Sequence, residues 1–107
     1  MKSFGNFLRS EREKRELTQT EFGAMIGINS SAISRIENGT QKFSKTKLLK
    51  LSQILEIEIE DVKNLFFADK FANEAYNNNC SESVFLAAEK SVKYIKQINS
   101  KQGKLEF

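Results

Sequence analysis

The sequence predicts an all-α protein. Apolar residues recur at intervals of three and four along most of the chain, which is the spacing of one helix face. The 107 residues include no proline, and 39% of them are hydrophobic. Only residues 54–61 alternate with period two, and no second strand candidate exists to pair with them. A chain of this length forms one small domain, or one domain with an appendage.

We expect the first helix to run from about Ser3 to Arg15. The residues Phe4, Phe7 and Leu8 would form its apolar face. Its basic residues are expected on the exposed side: Arg9, Arg12, Lys14 and Arg15. This helix would mainly contribute packing.

Residues 19–38 are interpreted as two short helices joined by a tight turn. Thr18 is a good N-cap for the first helix of the pair, and Glu21 three positions later completes a capping box. Gly23 has no side chain, so another helix could approach closely there. Gly27 is expected to take the left-handed conformation that ends this helix.

The second helix of the pair follows Asn29, which is expected to be its N-cap. Ile33 and Ile36 would be buried, and Gly39 would end the helix as Gly27 ends the one before it. The other faces of the helix carry polar side chains that are free to contact a molecule outside the protein: Ser30, Ser31, Ser34 and Arg35.

The run of residues 17–39, LTQTEFGAMIGINSSAISRIENG, resembles the helix-turn-helix of the phage-repressor-like, xenobiotic-response-element family of bacterial regulators. The match has independent parts: Gln19 opens the motif, glycines occupy the small-residue and turn positions, and residues 35–39 resemble the closing signature. The resemblance extends over about residues 4–65. One departure is Glu16, where many relatives carry a glycine that ends the first helix.

The resemblance implies a five-helix lambda-repressor-like domain that binds double-stranded DNA with its third helix in the major groove. We expect four residues to contact bases: Ser30, Ser31, Ser34 and Arg35. Arg35 is the strongest candidate because its guanidinium can span O6 and N7 of a guanine. The alternatives for Arg35 are a phosphate contact or an ion pair with Glu37. Serine hydroxyls both donate and accept hydrogen bonds, so part of the specificity would come from DNA shape.

The expected phosphate contacts lie at the start of the second helix, around the third helix and in the loop after it: Gln19, Asn29, Asn38, Gly39, Lys42, Lys45 and Lys47. Between Ser30 and Lys50, five basic residues and one acidic residue give a local balance of +5 − 1 = +4. A basic segment of this kind can neutralise phosphates and release counterions. A solvated lysine-rich loop is the alternative interpretation of the same residues.

The pattern then predicts two more helices. Ser44 would cap the fourth helix, and the fifth would start near Glu60 and continue to about Tyr76. Four acidic residues lie near this junction: Glu56, Glu58, Glu60 and Asp61. We interpret them as a helix start with a solvated face rather than as a metal site.

The C-terminal part is interpreted as a helical extension over residues 66–99, after a DNA-binding domain over residues 1–65. Asn79 and Glu82 predict a second capping box, for a final helix from Ser81 to about Ile98. Seven of the eleven aromatic residues follow Leu65, and two helices cannot bury so many rings unaided. These helices could pack on the first domain, on a second copy or on both, and we favour a second copy.

The predicted dimer interface consists of apolar residues of the extension: Phe66, Phe67, Phe71, Phe85, Val92 and Ile95. Two copies would read half-sites about one helical turn, ~34 Å, apart. Residues 100–107 are predicted to form a disordered tail.

The sequence therefore favours a homodimeric transcription repressor or autoregulator, possible subtypes being controllers of a restriction–modification or prophage locus. The alternative is an antitoxin whose aromatic C-terminal part binds a toxin. An enzyme is not expected, because the chain has no histidine, one cysteine and no glycine-rich phosphate loop. We expect no cofactor and no metal. The sequence shows neither a signal peptide nor a membrane span, so a cytoplasmic location is expected.

Overall fold

The structure is a computed structural model that describes residues 3–102, with side chains described for residues 3–100. The described residues form α-helices and no strand, which confirms the predicted all-α class. The helices are α1 (Phe4–Lys14), α2 (Gln19–Ile26), α3 (Ser30–Asn38), α4 (Leu48–Leu55), α5 (Ile59–Asn77) and α6 (Ser83–Gln102). None of these helices combines the length and the apolar content that crossing a lipid bilayer requires.

The chain divides into two compact units, one up to Lys70 and one from Phe71 onward. The boundary predicted from the sequence lies earlier, at residue 65. The residues Leu65, Phe66 and Phe67 pack against the core of the first unit, which explains the later division. Helix α6 extends to Gln102, so the first three residues of the predicted disordered tail are helical. The remainder of that tail, residues 103–107, lies outside the described residues.

The core of the first unit brings α1–α5 together around one cluster of buried apolar side chains. Its largest completely buried members come from five helices: Leu8, Phe22, Ile26, Ile33, Leu51, Leu55 and Val62. Phe4 packs among three further rings, with its centroid 5.6 Å from Phe7, 5.6 Å from Phe43 and 5.2 Å from Phe66. The predicted inward faces of α1 and α3 are therefore confirmed.

Side-chain caps set the starts of α2 and α3 as the sequence predicts. Thr18 Oγ1 accepts a hydrogen bond from the Glu21 N–H at 3.0 Å, and a Glu21 carboxylate oxygen accepts one from the Thr18 N–H at 2.8 Å. Asn29 Oδ1 accepts a hydrogen bond from the Ala32 N–H at 2.8 Å. Gly27 and Gly39 end the two helices with φ angles of 85° and 86°. Because these signals are local, the sequence alone predicts where α2 and α3 begin and end.

Two glycines permit close backbone approaches. A Cβ at Gly23 would meet the carbonyl oxygen of Ile28 in the turn and would lie 3.2 Å from the Ile33 side chain, so both the turn and α3 approach α2 there. A Cβ at Gly5 would meet the carbonyl oxygen of Ile36, because the start of α1 lies against the end of α3. The close approach at Gly5 was not predicted from the sequence.

Two predicted N-caps are corrected. Ser44 caps a 3₁₀ turn, Lys45–Lys47, and α4 begins only after that turn. Asn79 has a φ angle of 57°, and its N–H donates to the Tyr76 carbonyl at 3.1 Å, so it ends α5. The predicted capping box of Asn79 with Glu82 is wrong, because an N-cap needs an extended backbone.

Candidate nucleic-acid interface

The outward face of α3 carries the four predicted base-contacting residues. Ser31 and Arg35 are exposed, and Ser30 and Ser34 are half-buried. The opposite face of the helix is fixed in the core by Ile33 and Ile36, which are 1% and 4% exposed. Helix α3 is therefore held in the core by one face and exposes polar side chains on the other.

Arg35 forms its side-chain contact with the loop that follows α3. Its Nε donates to Gln41 Oε1 at 2.8 Å. The alternative ion pair between Arg35 and Glu37 is absent from the described part of the chain, because Glu37 points into the protein and pairs with Arg12. Sequence reasoning missed the role of Gln41.

Glu37 is the centre of a buried polar network that joins α1, α2 and α3. Arg12 donates to both oxygens of its carboxylate, from Nε at 2.7 Å and from Nη2 at 3.0 Å. Gln19 Nε2 adds a third hydrogen bond at 3.1 Å, and Arg9 Nε lies 3.8 Å away. A further donor of Arg12, Nη1, reaches the carbonyl oxygen of Leu17 at 2.8 Å.

The network corrects the sequence-based prediction that Arg12 is an exposed charge, since its side chain is only 11% exposed. Burial by itself would raise the pKa of Glu37. The hydrogen bonds from Arg12 and Gln19, with the charges of Arg12 and Arg9, outweigh burial and lower that pKa. The Glu37 carboxylate in turn raises the pKa of Arg12, so both groups stay charged.

A second ion-pair group joins α1 to the end of α4. Glu11 is 9% exposed and pairs with Lys14 at 3.0 Å and with Arg15 at 2.9 Å. Arg15 Nη2 also donates to the carbonyl oxygen of Leu55 at 2.7 Å. Arg15 is thus half-buried and structural, which corrects its predicted place among the exposed charges of α1.

The predicted phosphate contacts differ in how much of each side chain is already engaged. Asn38, Gly39, Lys42 and Lys45 are exposed. Asn29, Gln19 and Lys47 each make a structural hydrogen bond: Asn29 caps α3, Gln19 binds Glu37, and Lys47 Nζ donates to the Ile26 carbonyl at 3.3 Å. The phosphate contacts of these three residues stay predictions.

The surface charge of this region is more positive than the sequence count indicates. Glu37, the one acidic residue between Ser30 and Lys50, is 3% exposed and neutralised by Arg12. Four basic side chains of the segment are exposed and Lys47 is half-buried; the exposed ones are Arg35, Lys42, Lys45 and Lys50. An anion approaching this surface meets cations without a competing exposed carboxylate from the same segment.

The predicted dimer residues fall into two groups. Phe66 and Phe67 are half-buried in the first unit, where their rings lie 5.0 Å apart edge to face. Phe66 therefore helps to close the core of that unit around Phe4. The other predicted residues lie in the second unit and are exposed: Phe71, Phe85, Val92 and Ile95.

The acidic residues near the α4–α5 junction form no metal-binding group within the described residues. They belong to no group of three or more His, Cys, Asp or Glu side chains that could hold a metal ion. Glu60 and Asp61 lie in the first turn of α5, where negative charge favours the helix.

Comparisons with known proteins agree with this geometry. A family model described as helix-turn-helix matches residues 8–62. The HTH-type transcriptional repressor RghR of Bacillus subtilis (strain 168) is 41% identical over 61 residues, which are 56% of this chain and 45% of that protein. The antitoxin PezA of Streptococcus pneumoniae is 33% identical over 58 residues, which are 54% of this chain and 37% of that protein. The chain thus matches less than half the length of either relative.

Among solved structures, the P22 c2 repressor in complex with a synthetic operator superimposes with a TM-score of 0.52 at 27% identity. The match covers 58% of this chain and 94% of that one. The matched part of this chain is about as long as a single DNA-binding unit. The family model and the superposition together show that this chain belongs to the lambda-repressor-like helix-turn-helix family of transcriptional regulators.

Proposed function

We propose that this chain is a sequence-specific, double-stranded DNA-binding transcription regulator, not an enzyme, and that it acts as a homodimeric repressor. The observation that carries the proposal is the outward face of α3, with Arg35 exposed and basic side chains around it. The helix is too short to recognise a long site alone, so its base contacts would cover a few base pairs per copy.

The Glu37 network supports this role by fixing the orientation of α3. The bidentate contact from Arg12, together with Gln19, ties the C-terminal end of α3 to α1 and to the first turn of α2. Base recognition depends on holding side chains within a fraction of an ångström of their productive positions. A helix held at both its apolar face and its end satisfies that requirement.

The exposed apolar side chains of α6 support dimerisation. Phe85, Val92 and Ile95 are 48%, 50% and 55% exposed. They share one side of the helix, because their spacing of seven and three residues returns to the same face. A second copy would cover that side and place two α3 helices on one DNA duplex.

The test is binding of the full chain to the DNA upstream of its own gene, titrated against salt, with the mass measured by sedimentation. We expect a dimer that binds this DNA about 10³-fold or more tightly than a random duplex of the same length. Arg35→Ala should lower the affinity for this DNA and relax the sequence preference without unfolding the protein. Lys93→Ala removes the same charge from the second unit and should change neither the affinity nor the preference. Equal affinity for both duplexes would overturn the proposal.

An antitoxin is the second candidate, favoured by the match to PezA and by the same exposed side chains of α6. In that case the second unit would bind a toxin protein and need not form a clean dimer. A single dimeric species over a wide concentration range favours the repressor. A chain that is monomeric or aggregates when alone, and becomes compact on binding one partner protein, favours the antitoxin. Control of a restriction–modification or prophage locus is a finer possibility, decided by which neighbouring gene shares the operator.

A further inference from the structure

Gln41 is attached to Arg35 through both its main chain and its side chain. Its backbone N–H donates to the Arg35 carbonyl oxygen at 3.3 Å. Its side-chain oxygen Oε1 accepts from Arg35 Nε at 2.8 Å. The amide of Gln41 therefore holds the base of the guanidinium that the proposed function places against DNA.

The position of Gln41 follows from the way α3 ends. Gly39 reverses the chain with a φ angle of 86°, and the Thr40 N–H donates to the Arg35 carbonyl at 2.9 Å. The Thr40 hydroxyl reaches the same oxygen at 3.3 Å. The helix cap, and not a long free loop, therefore brings the Gln41 side chain to Arg35.

The contact uses one nitrogen of Arg35 and leaves two. Among the described residues, Nη1 and Nη2 of Arg35 have no hydrogen-bond partner. Two adjacent N–H groups are what a bidentate contact to O6 and N7 of guanine requires. The contact at Nε already orders the Arg35 side chain. Less rotamer entropy is therefore lost when Arg35 binds DNA.

We propose that Gln41 is a positioning residue that sets the guanine preference of Arg35. The inference rests on the proposed DNA-binding function and goes beyond it, because it assigns specificity to a loop residue outside the recognition helix. A hydrogen bond of this kind changes an equilibrium by about 2- to 12-fold. We therefore expect Gln41→Met, which keeps the length and loses the acceptor, to reduce the guanine preference at one base pair by about that factor.

Gln41 could instead touch DNA directly, since a glutamine amide can contact adenine at N6 and N7. The two roles differ in their dependence on Arg35. A positioning residue has no effect on base preference once Arg35 is replaced. A direct contact keeps its effect and acts at a base pair of its own.

The experiment selects binding sites from a randomised duplex library with the full chain and four variants: Gln41→Met, Gln41→Glu, Arg35→Met and the double Gln41→Met, Arg35→Met. We expect Gln41→Met and Arg35→Met to relax preference at the same base pair, and the double variant to match Arg35→Met. Gln41→Glu restores an acceptor for Nε, so it should keep the guanine preference while its added negative charge lowers overall affinity. Melting curves of all variants serve as the folding control.

The possible results separate the inference from the proposed function. If the unmodified chain selects no sequence, the proposed function fails and the role of Gln41 fails with it. If the chain selects a site and Gln41→Met leaves the preference unchanged, only the inference is wrong. It is also wrong if Gln41→Met acts at a different base pair from Arg35→Met, because that result identifies a direct contact. In the DNA-free protein, loss of a protected Arg35 Hε NMR signal in Gln41→Met would independently support the contact.

Discussion

The two compact units of this chain treat apolar side chains in opposite ways. In the first unit, Phe22, Leu8 and Leu51 are completely excluded from solvent. In the second unit, no described side chain is buried, and Ile95 and Phe85 are 55% and 48% exposed. The first unit closes its own core, while α6, a 20-residue helix, still presents exposed apolar side chains. The first unit therefore completes its core with its own residues, whereas we propose that a second copy covers the apolar side of the second unit.

The largest predicted effect comes from a charge placed in the closed core of the first unit. We expect Ile33→Asp to unfold the first unit, because Ile33 is 1% exposed and an unpaired buried carboxylate costs several kcal/mol, about the total stability of a small domain. The measurement is a thermal melt followed by circular dichroism. Ser31→Asp, on the exposed side of the same helix, is the control and should melt like the unmodified protein. A native-like melt for Ile33→Asp would mean that the core is wrongly assigned.

The next largest effect concerns the polar part of the same core. Glu37→Gln removes the charge that balances Arg12 in a site where the Glu37 side chain is 1% exposed, and we expect a loss of about 3–5 kcal/mol in the free energy of unfolding. Urea denaturation measures it. Glu13→Gln is the control, because that side chain is 62% exposed and lies 4.0 Å from Arg9. A loss as small as that of the control would show that the network does not support α3.

The lowered pKa of Glu37 gives this prediction a pH dependence. A carboxyl whose pKa is lower in the folded than in the unfolded state stabilises the fold above its unfolded value, and this contribution disappears as the pH falls through the folded value. The unmodified protein should therefore lose stability below about pH 4.5, the ordinary range of a glutamate pKa. Glu37→Gln should lose less over the same range, and parallel losses in the two proteins would contradict the assignment.

The Glu37 network also shows where sequence reasoning stops. The caps of α2 and α3 and the glycines that end them were predicted, because each depends on residues within a few positions of one another. The pairing of Arg12 with Glu37 joins residues 25 positions apart, so it depends on how α1 packs on α3. Local sequence patterns do not show how two helices pack, so Arg12 was predicted to lie on the surface. The inward orientation of Glu37 could have been suspected from its position four residues after the buried Ile33, on the same face of α3.

The proposed DNA-binding surface shows the same division between local features, which the sequence predicts, and contacts between distant segments, which it does not. Helical spacing placed Ser31 and Arg35 on the outside of α3, and the structure agrees. The contact of Gln41 with Arg35 needed the course of the chain after Gly39, and the bond of Lys47 to α2 needed the fold. The exposure of these α3 side chains could therefore be predicted from the sequence, whereas their contacts with other segments could not.

A smaller effect is predicted for the exposed apolar side of the second unit. We expect Ile95→Ser to weaken the proposed dimer by about 2–3 kcal/mol, roughly 30- to 150-fold in Kd, since the change acts once in each copy. Sedimentation over a range of concentrations measures the Kd. Lys93→Ser is the matched control, because the Lys93 side chain is 73% exposed and its ammonium lies 3.4 Å from Glu89. The first unit should melt unchanged in both variants, and an unaltered Kd for Ile95→Ser would place the interface elsewhere.

The smallest predicted effect lies at Glu16, where the first unit departs from the glycine of many relatives. Glu16 has a φ angle of 55°, in the left-handed region that a side chain disfavours by about 1–2 kcal/mol. Glycine adopts this conformation freely but also gains freedom in the unfolded chain, so we expect Glu16→Gly to stabilise the protein by a net ~1 kcal/mol. The matched control is Glu13→Gly inside α1, which should destabilise by about 1 kcal/mol because the helical backbone disfavours glycine. Urea denaturation compares the two, and a loss of stability in both would show that the conformation at Glu16 is not strained. Opposite signs for the same substitution three residues apart would show that the backbone conformation, and not the lost carboxylate, determines the effect.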